Sequence, residues 1–270
     1  MKPLSPRKRR IYVWLFVLLF FISVPLALFY ASGYRFGLDG VLKTGGIFLS
    51  VPYDGATIFL NGEEIGKSGL LNKSVYVGNL VPASYEIEVT REGDHPWTRL
   101  LIVESELVTD ATVFLVPHSV SIAELTTAPN APTTTKHLSL GEFSAYLAEF
   151  DTLPATTTAS SIGTLVIENG ALFLRWKQKE SVLPSIYCEA PSSCLPEIAI
   201  SAKEQRVTNA AFFGGGIVYS TSSGIYVREA DTRPTTLVIP LYAKAGSSFR
   251  VIDGRLIVKD GKKLYEILDL

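Results

Sequence analysis

Residues 56–65 read ATIFLNGEEI. Asn61-Gly62 is the strongest two-residue hairpin signal, because both positions tolerate positive φ, so 56–60 turns back into 63–65. A second stretch, 85–90, alternates strictly, with Tyr85, Ile87 and Val89 on one face and Glu86, Glu88 and Thr90 on the other. A period of two marks a half-buried strand. Further strand candidates are 46–51, 74–77, 97–104 and 111–116, with no helical pattern competing among them. Many short strands between residues 44 and 117 predict a small β-sandwich, and the fold class is all-β.

Beyond the sandwich the composition changes. Residues 126–135 and 152–161 are rich in Thr, Pro and Ala and poor in large apolar groups, so 118–161 reads as a linker. Within it Leu140, Phe143, Leu147 and Phe150 fall at helical spacing with Ser139 as N-cap, though the same stretch can also pair as a strand. Residues 162–270 are again β-rich. Hairpins are expected at 163–176, 210–220 with an added strand at 223–228, and 249–258 with a return at 260–267. Their turn glycines, Gly170, Gly216 and Gly254, recur near the roughly 40-residue spacing of propeller blades. The C-terminal domain is therefore either partial and propeller-like, completed by the 118–161 segment, or a coincidence of hairpins.

The N-terminus differs from everything after it. Residues 1–10 carry Lys2, Arg7, Lys8, Arg9 and Arg10, and 11–31 run apolar without a charge. About 20 apolar residues suffice to cross the hydrocarbon core as a helix. Tyr12 and Trp14 near one end, and Phe29, Tyr30 and Tyr34 near the other, suit the headgroup layers. Pro25 kinks such a helix without excluding it from the bilayer. The basic cluster precedes the run, while only Arg35 and Lys43 follow closely, with Asp39 between them. The positive-inside rule then keeps residues 1–10 in the cytoplasm and places the rest outside the cytoplasmic membrane. The competing reading is a signal peptide cleaved near Ala31 and Gly33; its apolar core would be shorter than this one.

Net charge is -1, which suggests no nucleic-acid partner. The 2 cysteines, Cys188 and Cys194, read as a short disulfide loop in an oxidising compartment. Two cysteines without a nearby histidine cannot complete a tetrahedral zinc site. His95, His118 and His137 are scattered, and no H-x-x-x-H spacing or nucleophile elbow occurs. Residues 62–68 (GEEIGKS) resemble a phosphate-binding loop, but Asn61 occupies the first glycine position and no helix follows. Gly214, Gly215 and Gly216 read as a hairpin turn. Tyr53, Tyr76 and Trp97 are either core or a sugar-stacking surface. Asn72-Lys73-Ser74 fits a glycosylation sequon, relevant only in a glycosylating host. No catalytic residue, cofactor site or metal ligand is assigned.

Residues 45–68 (GGIFLSVPYDGATIFLNGEEIGKS) and 80–89 (LVPASYEIEV) resemble the PEGA domain. Its pattern is a strand, Pro-Glu-Gly-Ala, an apolar strand, an Asp/Asn-Gly turn, Ile-Gly-Lys-Thr-Pro, and a Leu-x-Pro-Gly-x-Tyr-x-Val-x-Val strand. Residues 93–97 (GDHPW) look like the family's Gly-Tyr…Trp turn. The stretch 52–56 (PYDGA) carries one residue more than the signature, Gly69 replaces a proline and Ala83 a glycine. The order of anchor and domain looks like membrane-anchored PEGA proteins of uncultivated bacterial lineages. The resemblance implies an envelope-associated sandwich used for binding or as a spacer, and no reaction. The expectation is a non-catalytic extracytoplasmic binding or scaffolding protein, held in the lipid bilayer by 11–31, with an envelope glycan or envelope protein as partner. The alternative is a ligand-sensing or regulatory subunit working with a membrane partner.

Overall fold

The computed structural model describes residues 6–37, 40–128, 135–154, 157–177, 183–202 and 205–270. Lys2, Asp39 and parts of both Thr/Pro-rich stretches (129–134 and 155–156) lie outside the described residues. The chain begins with helix α1 (Pro6–Ala31), which contains Pro25 and buries none of its residues. Trp14, Phe16 and Phe21 stand 67%, 66% and 69% exposed, and among the described residues the helix is covered only at its end, where Phe29 stacks on Tyr34. At 1.5 Å per residue it is about 39 Å long, more than the roughly 30 Å of a hydrocarbon core. A turn at Gly33 (φ +81) leads into β1 (Tyr34–Gly37), which pairs with β2 (Gly40–Lys43) in a hairpin that sequence reading did not identify.

The sandwich comprises β3 (Gly45–Ser50), β4 (Thr57–Leu60), β5 (Glu63–Lys67), β6 (Ser74–Leu80), β7 (Ala83–Thr90), β8 (Trp97–Val103) and β9 (Val108–Thr112). Its two sheets have the orders β6-β3-β9 and β5-β4-β7-β8. Asn61 and Gly62 adopt φ +48 and +82, as the two-residue turn requires. Ile87 and Val89 are buried between the sheets with Ile47, Leu49, Ile58, Trp97 and Leu101. The strand expected at 111–116 instead ends at Thr112 and pairs parallel to β3. Val113, Phe114, Leu115 and Val116 are all buried, which a strand with one wet face does not allow; they leave the sheet as an extended segment within the core.

Next come β10 (Ile122–Thr126), β11 (Thr135–His137) and helix α2 (Leu140–Glu149). Helix is thus the outcome at the ambiguous 139–150 segment. Ser139 caps it, its Oγ accepting from the Glu142 N–H at 3.2 Å while the Glu142 carboxylate accepts from the Ser139 N–H at 2.9 Å. Strands β12 (Thr157–Ser160), β13 (Gly163–Glu168) and β14 (Ala171–Arg175) follow. The short disulfide hairpin of β15 (Cys188–Ala190) and β16 (Ser193–Cys194) then leads to β17 (Glu197–Ala199). Last are β18 (Asn209–Phe213), β19 (Gly216–Thr221), β20 (Gly224–Arg228), β21 (Val238–Tyr242), β22 (Ser248–Ile252), β23 (Arg255–Asp260) and β24 (Lys263–Ile267).

All three expected hairpins form, around turns at Gly170, Gly214-Gly215 and Gly254. Gly216 itself opens β19. A Cβ there would lie 2.6 Å from the Phe114 ring, so the glycine lets the extended segment pass close by. The sheets run β12-β13-β14-β17, β18-β19-β20-β21 and β11-β10-β24-β23-β22. The third joins β10, from just after the sandwich, to β24, from the chain's last residues. The sheets stay open and close into neither a barrel nor a propeller. One apolar cluster is continuous from Ile47 and Trp97 in the sandwich to Val218, Val227, Leu256 and Ile267 beyond it.

Replacing Ser139 with Ala removes the cap and is expected to cost α2 about 1 kcal/mol, seen as faster amide exchange across 140–149. Hydrogen bonds from the Ser139 hydroxyl and N–H hold the Glu142 carboxyl below its usual range. Their contribution is present at neutral pH and is lost as pH falls through that lowered value. Exchange in Ser139→Ala that matches wild type, at neutral pH and in acid alike, contradicts this.

Candidate functional site

Strand β8 alternates inward and outward, and its inward positions are Trp97, Arg99, Leu101 and Val103. An arginine therefore enters an apolar layer, fully buried at 0% exposure. A buried charge is tolerated only when paired and hydrogen-bonded. Its partners come from residues 229–233, directly after β20. Glu229 forms an ion pair with the Arg99 guanidinium, and its other contacts are donors: the Trp97 indole N–H at 2.7 Å and the Leu237 N–H at 2.8 Å. Asp231 lies 4.0 Å from Arg99 Nε and is gripped by Arg233 through Nε at 3.0 Å and Nη2 at 2.6 Å. Arg99 Nη1 also donates to the Arg233 carbonyl, and its guanidinium lies 5.2 Å from the Trp97 ring centre. Arg233 Nη2 reaches back to the Asp110 carbonyl of β9 at 2.9 Å, and Thr235 Oγ1 to the Thr98 carbonyl at 3.1 Å.

Burial pushes the Glu229 carboxyl above its usual range, while Arg99 and the Leu237 and Trp97 donors pull it back. Burial lowers Arg228. Both Glu229 oxygens are already engaged, so this cluster is built to hold β8 and β9 against the 229–237 segment.

The disulfide hairpin closes the same seam. Cys188 and Cys194 are bonded, and Ser192 at the hairpin tip binds the Glu104 carboxylate beyond the end of β8, through its N–H at 2.8 Å and its hydroxyl at 2.6 Å. Just before the hairpin, Tyr187 donates to the Ile162 carbonyl at 2.9 Å, and burial pushes its phenol up to about 12. Among the described residues, cavities follow the seam. One, of about 460 Å³, lies between Val108–Asp110 on β9, the disulfide and Arg233. One of about 340 Å³ lies on the other side of the hairpin, against Ile186, Leu195 and Pro234. A third, of about 220 Å³, is bounded by Tyr53, Phe114 and Asp231. Apolar walls with a few convergent polar groups are the usual character of a small-ligand site.

The remaining candidates are dispersed. His95 and His118 come together despite their separation in sequence, with ring centres 4.5 Å apart, while His137 lies on β11. Among the described residues no group of three or more His, Cys, Asp or Glu side chains is placed to hold a metal ion. Trp97 is core, Tyr53 is half-buried beneath Arg91, and Tyr76 is 61% exposed, so the three form no common stacking surface. Residues 63–67 of the loop-like GEEIGKS stretch are strand β5. Sequence reasoning missed Arg99, Glu229, Asp231 and Arg233. The signal was present in an arginine at an inward position of an alternating strand, and in the charged run 228–233 (READTR) following an apolar one.

No family model matches this chain, and no curated protein matches it.

Arg99→Met leaves Glu229 buried without its cation and is expected to cost about 3–5 kcal/mol in denaturant unfolding of the detergent-solubilised protein. A loss under about 1 kcal/mol would mean the pair contributes little to stability. Opening the Cys188–Cys194 loop by Cys194→Ser is expected to cost about 2 kcal/mol, the value for so short a ring. A midpoint unchanged by the substitution contradicts that.

Proposed function

We propose that this chain is a single-pass membrane protein displaying a PEGA-like sandwich and the C-terminal sheets outside the cytoplasmic membrane, for non-catalytic binding or scaffolding in the cell envelope. The observation that carries the reading is α1, a long apolar helix with no buried residue. Such a surface favours a lipid partner, since leaving it in water is costly and the described residues bury none of it. Arg7 to Arg10 at its start favour a cytoplasmic N-terminus. The Asn61-Gly62 hairpin within a two-sheet sandwich is consistent with the PEGA resemblance. A wall glycan or an envelope protein fits a module of this kind.

The seam cavities favour a second reading, a sensing or regulatory subunit whose ligand binds beside the disulfide hairpin. Carbonate extraction of membranes separates the anchored protein from a soluble one, and protease added outside spheroplasts reports orientation. The full chain is expected in the pellet, with its C-terminal portion digested from outside. Release into the supernatant, or protection from the protease, contradicts the proposal.

A further inference from the structure

The junction between α1 and the sandwich is a set of direct bonds. Gly33, two residues after the helix, accepts at its carbonyl from both the Thr44 N–H (3.0 Å) and the Thr44 hydroxyl (2.8 Å). Arg35 reaches both ways: Nη1 donates to the Tyr30 carbonyl of the helix end at 2.9 Å, and Nη2 to Asn79 of β6 at 2.6 Å. The Arg35 guanidinium also lies 3.6 Å from the Tyr30 ring centre. Lys43 pairs with Glu106 at 2.7 Å, and the Glu106 N–H bonds the Thr44 carbonyl at 3.0 Å. The ends of β6 and β8 and the start of β9 are thereby held at the end of the helix.

That end of the sandwich carries exposed apolar side chains. Val41 is 51% exposed, Val81 42% and Leu107 40%. Val81 follows Asn79 by two residues, and the Leu107 carbonyl accepts from Gly46, two residues after Thr44. Two strand residues cover about 7 Å. The headgroup layer is about 5–7 Å deep on each side of the hydrocarbon core. Isolated exposed apolar residues are ordinary, but Val41, Val81 and Leu107, each within three residues of a junction bond and close in sequence to Arg35 or to Lys43 and its partner Glu106 at the end of an apolar helix, match an interfacial surface.

Resting on the anchor reading above, we propose that this end of the sandwich is a membrane-docking surface. Val41, Val81 and Leu107 enter the headgroup layer of the bilayer that α1 spans, with Arg35 and Lys43 level with the lipid phosphates. The sandwich then sits on the membrane in one orientation instead of swinging on a tether. The opposite end is marked by the turn Gly69–Asn72, whose tip residue Leu71 is 102% exposed. It joins β6 at Ser74, which pairs with Ser50 at the far end of β3, six residues or about 20 Å from the junction.

The test uses the full chain in nanodiscs of phosphatidylcholine and phosphatidylglycerol, with quencher-bearing lipids. Both native cysteines are disulfide-bonded, so one introduced cysteine is the sole free thiol for an environment-sensitive fluorophore. Val81→Cys and Leu107→Cys report the docking surface, Leu71→Cys the far end, and Leu18→Cys the helix. Labels at 81 and 107 are expected to be quenched several-fold more than at 71, with 18 quenched most. Quenching at 81 and 107 no greater than at 71, with 18 quenched, overturns docking and leaves the anchor standing. An unquenched label at 18 overturns the anchor and docking together.

Discussion

The buried pairing of Arg99 with Glu229 is the constraint on which the rest of the molecule depends. A guanidinium held at 0% exposure inside a sandwich is stable only with carboxylates beside it, and here Nη1 is the nitrogen that is hydrogen-bonded while Nε and Nη2 face those carboxylates as ion pairs. It needs the carboxylates of the 229–233 segment, and those exist at that point only if β20 delivers them there. Trp97 adds its indole N–H to the same carboxylate, so the largest side chain of the sandwich core is oriented by a residue more than a hundred positions away. The apolar cluster spanning both regions supplies most of the burial, but hydrophobic contact is non-directional. The charged cluster supplies the register.

Much of the architecture was legible from local chemistry. Asn61-Gly62, Asn169-Gly170 and Asp253-Gly254 announce two-residue turns, and all three adopt positive φ at both positions. The alternation through Tyr85, Ile87 and Val89 describes a strand with one dry face. What stayed hidden depends on contacts distant in sequence. The parallel pairing of β3 with β9 and the joining of β10 to β24 leave no local mark, because a strand's pattern records which face is buried and not which neighbour it bonds. The 139–150 segment was ambiguous by periodicity alone, and the Ser139–Glu142 box resolves it towards helix. Arg99 was visible as an anomaly in WTRLLIV, yet its meaning required Glu229.

The same logic runs outward from α1. Helix α1, none of whose residues is buried, is tied at its end by Arg35 and Thr44 to the sandwich, the sandwich by Arg99 and Ser192 to the sheets beyond. Each joint uses charged or backbone hydrogen bonds, which fix direction as well as distance. A module assembled in this way holds its parts in one relative orientation, which the binding or scaffolding role proposed above would use. The cavities lie at the second joint, so a ligand entering them would meet residues from both sides at once.

The shared apolar cluster and the Arg99–Glu229 joint make the sandwich and the C-terminal sheets open as one body, which native-state hydrogen exchange across a denaturant series tests most directly. Amides in β8 and in β20–β21 are followed together. One body predicts that both segments converge on the same opening free energy and the same denaturant dependence. Exchange of β20–β21 through a separate, lower-energy opening, with β8 still protected, would contradict it.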